Sequence, residues 1–84
     1  MGLTTTAIKV YPNPVQSALN IQFAKTSALQ KTISVYNVEG KLLLLKPAGG
    51  STQIDMESLA AGTYLIKIND ENGKELYSGK VINQ

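Results

Sequence analysis

Eighty-four residues, a net charge of +2, no cysteine and no histidine admit one compact domain and remove several kinds of chemistry. Disulfides, thiolate metal sites, cysteine nucleophiles and imidazole bases are absent, and because all eight basic residues are lysines there is no guanidinium clamp. The lysines form no basic run, which points away from nucleic acid, and no stretch approaches the roughly 20 apolar residues of a membrane helix.

Met1-Gly2 precedes no hydrophobic signal core, and residues 1–6 read as a polar tag or linker remnant ahead of a single domain over 7–84. A first strand over 7–11 ends at Pro12-Asn13-Pro14, where two prolines fix φ and remove two ladder donors. Over 18–24, Leu19, Ile21 and Phe23 alternate with polar residues, and over 32–37 Ile33 and Val35 do the same. Asn37-Val38-Glu39-Gly40 is a hairpin turn with a positive φ expected at Gly40. The fourth strand, 41–46, breaks the alternation with four consecutive leucines, Leu42 to Leu45, between Lys41 and Lys46. In a two-layer domain one pair of these leucines must be exposed, covered by a loop, or covered by something outside the chain. The flanking lysines suit edge-strand protection.

Residues 47–50 read as a flexible loop and 51–56 as a fifth strand. Leu59-Ala60-Ala61-Gly62 forms a corner before a sixth strand over 63–69, and Asp70-Glu71-Asn72-Gly73 is a second turn of the first one's kind. The last strand, 74–82, shifts its apolar phase near Gly79, as a bulge would allow. Residues 28–30 and 57–59 are long enough for one helical turn each and no more.

Seven strands with turn signals every 8–12 residues predict an all-β, Ig-like antiparallel sandwich with Greek-key connections. Leu59-x-x-Gly62-x-Tyr64 fits the tyrosine corner of such sandwiches, in which a tyrosine hydroxyl bonds to backbone a few residues upstream. Asp70-x-Asn72-Gly73 lacks the further oxygen ligands of a calcium loop, and Asp55 and Glu57 belong on a solvated face. No catalytic triad, phosphate loop, metal set or cofactor motif is present, so no enzyme is expected. A closing strand at a sheet edge can pair with another protein, or with a second copy as a weak dimer, by strand addition. Its plainer role is to complete the sandwich.

Four blocks in order carry a resemblance. They are residues 10–14 followed by Leu19 and Ile21, residues 33–43, residues 54–68, and Lys80-Val81-Ile82. Together they resemble the type A C-terminal sorting domains of the type IX secretion system of Bacteroidetes. The resemblance implies a folded secretion signal on a longer precursor. Such a precursor crosses the periplasm, is recognised by an outer-membrane translocon and a shuttle protein, and is delivered to the cell surface or the medium. A sortase then usually removes the domain, here in or before residues 3–7. The residues it implies for recognition are Pro12, Asn13, Pro14, Gly40, Lys41, Leu43, Gly62, Lys80, Val81 and Ile82. Leu59, Gly62 and Tyr64 make the structural corner. One side of the leucine run and the last strand would form the docking surface, and deletion of residues 80–84 is expected to trap cargo in the periplasm. Many members end in a basic residue, whereas this chain ends in Asn83-Gln84. The rival readings are a carbohydrate-binding sandwich, for which only Tyr36 and Tyr77 offer aromatic faces, and a structural spacer of a surface protein.

Overall fold

The computed structural model describes residues 8–23 and 30–84. Seven strands follow in chain order: β1 (Ile8–Tyr11), β2 (Ala18–Phe23), β3 (Lys31–Tyr36), β4 (Leu42–Ala48), β5 (Thr52–Asp55), β6 (Gly62–Asp70) and β7 (Glu75–Asn83). They form two antiparallel sheets, ordered β1-β2-β5 and β4-β3-β6-β7. The chain makes β1 and β2 in one sheet and the β3–β4 hairpin in the other. It returns for β5 and crosses back to lay β6 beside β3. This is the Greek-key, Ig-like sandwich expected from the spacing of the turns.

The period-2 pattern decides what lies between the sheets. Leu19, Ile21 and Phe23 on β2 and Ile54 on β5 face Ile33, Val35, Tyr64, Ile66, Ile68 and Val81 of the larger sheet, all buried. Each such side chain contributes about 1.5–3 kcal/mol on burial. Lys31, at the start of β3, is also buried and lays its ammonium 4.7 Å from the centre of the Phe23 ring, a favourable cation–π distance.

Both hairpins of the larger sheet turn in the same way. In the first, the Asn37 N–H donates to the Lys41 carbonyl, and the Gly40 N–H to the Asn37 carbonyl. The Asn37 side-chain oxygen accepts from the Glu39 and Lys41 N–H groups, each at 2.9 Å. In the second, Asp70, Asn72, Gly73 and Lys74 repeat every one of these bonds. Gly40 and Gly73 share a φ of 86°, the left-handed conformation that glycine adopts without steric cost. Each turn is followed by a bulge, which leaves Leu43 extra on β4 and Leu76 extra on β7.

Several expectations need correction. The bulge of β7 sits at Leu76, not near Gly79. From Tyr77 onward the inward phase is unbroken, and Gly79 leaves the room that the Tyr77 ring fills: a Cβ at Gly79 would stand 2.6 Å from the Tyr77 hydroxyl. Pro47 and Ala48 are strand, not loop. Proline tolerates an edge strand because its missing N–H is not needed on that side, and Ala48 is buried. Lys46, on edge strand β4, shares the inward phase of Leu44 and Ala48, and its ammonium donates to the Gln53 carbonyl of β5 at 2.8 Å. Residues 57–59 form a single turn, closed by the Leu59 N–H on the Met56 carbonyl. Of the other expected helical turn, residues 28 and 29 lie outside the described residues, as do residues 1–7 with the linker and cleavage segment.

Candidate functional site

The first and last blocks of the sequence motif meet along the edge of β7. Asn13 lies between two prolines that carry no N–H, and its side-chain amide presents the donor and acceptor of a peptide unit. Its Nδ2 donates to the Lys80 carbonyl at 3.2 Å, and its Oδ1 accepts from the Ile82 N–H at 2.9 Å. Both X-Pro bonds of this turn are cis. Two residues on, the fully buried Val15 continues the pairing with its backbone. Its N–H donates to the Ile82 carbonyl at 2.7 Å, and its carbonyl accepts from the Gln84 N–H at 2.8 Å. The end of β7 is therefore not open for strand addition by another chain, because residues 13–15 already occupy that edge.

A second junction fixes the opposite side of β7. Asn83 is only 4% exposed, and its Nδ2 is directed at three carbonyls of the corner, those of Met56, Leu59 and Ala60, at 2.9, 3.0 and 3.2 Å. Its Oδ1 has no hydrogen-bond partner among the described residues. The Tyr64 hydroxyl donates to the Ala60 carbonyl at 2.5 Å, four residues upstream as in a tyrosine corner. Leu59 packs partly buried against the core, and Gly62 pairs with Asn83 at the start of β6.

The residues expected to serve recognition separate into groups. Pro12, Asn13, Pro14, Lys80 and Ile82 lie together at the seam, where Pro12, Pro14 and Gln84 line an open depression of about 600 Å³. Gly40 and Lys80 share a second, smaller depression of about 230 Å³ with Val38, Thr63 and Leu65. Lys41 closes the first hairpin turn through its backbone, and Leu43 is the bulge residue of β4. Val81 is 2% exposed. It is a core side chain and presents nothing to a partner. Asp55 and Glu57 are exposed, and the Asp55 carboxylate accepts from the Glu57 N–H. Tyr36 and Tyr77 stand on opposite faces of their sheet, so they make no common platform for a sugar.

Two residues escaped the sequence reading. Val15 is a lone apolar residue between a proline and polar neighbours, and periodicity gives no signal for it. Asn83 was legible in principle: its phase follows Tyr77, Gly79 and Val81, which sets it inward.

The family model described as a secretion system C-terminal sorting domain matches residues 9–84. No curated protein matches the chain.

Proposed function

The chain belongs to the family of secretion system C-terminal sorting domains, and from that membership we propose how its surface is read. The family provides the sorting signal of type IX secretion, is not an enzyme family, and marks its proteins for export to the cell surface or the medium. In our reading the folded domain is recognised in the periplasm by the outer-membrane translocon and its shuttle protein. A sortase then removes it by cutting in or before residues 3–7, so the chain is a substrate of that protease.

The observation that carries this reading is the seam. The Pro12-Asn13-Pro14 turn and the Lys80–Ile82 stretch are far apart in sequence, yet Asn13 bonds to both Lys80 and Ile82. Folding brings both motif blocks onto one surface, which supports a signal read as a shape rather than as a linear tag. Gly40 and Lys41 set the adjacent turn, and Gly62 with Leu59 and Tyr64 sets the corner, so these residues present the surface instead of contacting the partner.

The test fuses residues 3–84 to a periplasmic fluorescent protein in a type IX-competent bacterium. Fluorescence on the surface or in the medium, lost in a translocon mutant, is the expected result. Fluorescence that stays in the periplasm of the competent strain overturns the reading.

A further inference from the structure

The two hairpins of the larger sheet are an internal control on one another. They share the side-chain-closed turn, the positive-φ glycine, the lysine after it and the bulge. At four positions off the core, three of them exposed and that of Tyr36 half-buried, they differ in one direction. Val38, Tyr36, Leu42 and Leu45 of the first hairpin correspond to Glu71, Asn69, Glu75 and Ser78 of the second. The second hairpin forms with polar residues at all four places, so the backbone does not require apolar ones there. The apolar set of the first hairpin has another cause.

The pairing register places Leu42, Leu45 and Tyr36 on the outward face, and Val38, in the turn, lines one depression with Leu65 and Lys80. One row across the sheet reads Leu42, Tyr36, Leu65, Lys80, and the next reads Leu45, Ser34, Lys67, Ser78. Val38 is 77% exposed, Leu45 60% and Leu42 45%. Apolar residues exposed singly are ordinary, whereas a contiguous group rimmed by polar residues marks an interaction surface. The rim here is basic. Lys80 closes the first row, and Lys67 stands third in the second, before Ser78, with its ammonium 5.6 Å from the centre of the Tyr36 ring. Neither row contains a carboxylate, and the acidic residue of the hairpin, Glu39, sits in its turn.

We propose that this outward face, Val38, Leu42 and Leu45 with Tyr36 and Leu65 inside a rim of Lys67 and Lys80, docks a protein of the secretion machinery whose own surface is apolar at its centre and acidic at its edge. The proposal rests on the sorting reading above and names the chemistry of the partner in it. A second copy of the chain is the wrong occupant, because it presents the same lysines. An antiparallel β4–β4 pairing centred on the leucines would set Lys41 of one copy against Lys46 of the other, and like charges facing each other across strands are destabilising. A carboxylate rim instead complements the lysines, which speeds encounter, fixes register and makes the association sensitive to salt.

The test gives the first hairpin the residues of the second in the fluorescent fusion. Val38→Glu and the pair Leu42→Glu/Leu45→Ser should leave the melting temperature of the purified domain within a few degrees of the parent, as surface changes do. Surface delivery should fall about tenfold in each, the loss expected when an interface anchor is removed. The reciprocal pair Glu75→Leu/Ser78→Leu should be delivered like the parent, and Lys67→Glu/Lys80→Glu should lose delivery. If the double leucine variant melts well below the parent, Val38→Glu, at the most exposed of the positions, decides alone. Parent-like delivery of the folded variants overturns the docking face while the sorting reading stands. Failure of the parent fusion to be delivered removes both. A domain that dimerises through this face, with dimerisation lost in Leu42→Glu/Leu45→Ser, overturns the choice of occupant.

Discussion

Replacing Asn83 by aspartate keeps the shape of the side chain and removes both of its donors. In the native domain Nδ2 faces the carbonyls of Met56, Leu59 and Ala60 in a nearly water-free site. Alanine at this position takes the donor from the Leu59 carbonyl, whereas the Met56 and Ala60 carbonyls keep the Leu59 N–H and the Tyr64 hydroxyl; the cost is about 1–3 kcal/mol for an acceptor left unsatisfied. Aspartate does the same and adds a buried negative charge aimed at carbonyl oxygens, which raises the cost to about 3–5 kcal/mol. A domain of this length holds about 4–13 kcal/mol in total. At about 4–8 °C per kcal/mol, the alanine variant should melt roughly 5–20 °C below the parent, and the aspartate variant lower still. Urea denaturation of the parent, Asn83→Ala and Asn83→Asp, followed by circular dichroism at pH 7 and pH 4, measures the order. Burial raises the folded pKa of the introduced carboxyl above its unfolded value near ~3.9. Its penalty is therefore present above that value and is relieved as the pH falls toward it. The gap between aspartate and alanine should narrow at pH 4. An aspartate variant as stable at neutral pH as the alanine variant would refute the assignment of three acceptors to Nδ2.

Tyr64→Phe removes only the hydroxyl bond to Ala60 and should cost about 1 kcal/mol, read as a lower denaturation midpoint with an unchanged slope. Gly40→Ala and Gly73→Ala each force a side chain into the left-handed region, at about 1–2 kcal/mol; since the turns match bond for bond, the two losses should agree, and a several-fold difference would show that the turns are not equivalent. Asn13→Ala deletes two exposed hydrogen bonds to β7, for about 1 kcal/mol, and should speed hydrogen exchange at the Ile82 amide while leaving the amides of β3 unchanged. Exchange at Ile82 as slow as in the parent would mean that the side chain does not hold that edge.

Alternation made the strands legible. Leu19, Ile21, Phe23, Ile33, Val35, Tyr64, Ile66 and Ile68 all lie inward where a period of two places them, and the turns were readable because Asn37-x-x-Gly40 and Asp70-x-x-Gly73 combine a side-chain acceptor with a residue free to take positive φ. Pro47-Ala48 and Gly79 were misread because composition cannot tell an edge proline from a loop proline, or a glycine beneath a ring from a glycine in a bulge. The leucine run announced one exposed pair, whereas Leu42, Leu43 and Leu45 are all exposed and Leu44 alone turns inward. Which side faced out depended on the bulge at Leu43, and that follows from the turn geometry rather than from the run itself. The seam lay beyond any local pattern. Asn13 and Val15 find β7 only because the Greek-key path returns the last strand beside the first turn.

The same path explains why truncation is a poor probe of the signal. Residues 80–84 contain the exposed Lys80 and Ile82, the core residue Val81, the corner donor Asn83, and the Gln84 N–H that pairs with Val15. Removing them takes away a buried side chain worth about 1.5–3 kcal/mol, the bonds of Asn83, and the pairing of residues 13–15. Such a chain loses delivery whether recognition or folding has failed. Outward atoms separate the two. Lys80 and Ile82 project from the opposite face of β7 to Val81 and Asn83, so substitutions at Lys80 and Ile82 alter what a partner meets and leave the core in place. Substitutions at Val81 or Asn83 do the reverse. If recognition reads the folded surface, loss of delivery should follow the outward residues at constant melting temperature and should follow the inward residues only in proportion to lost stability.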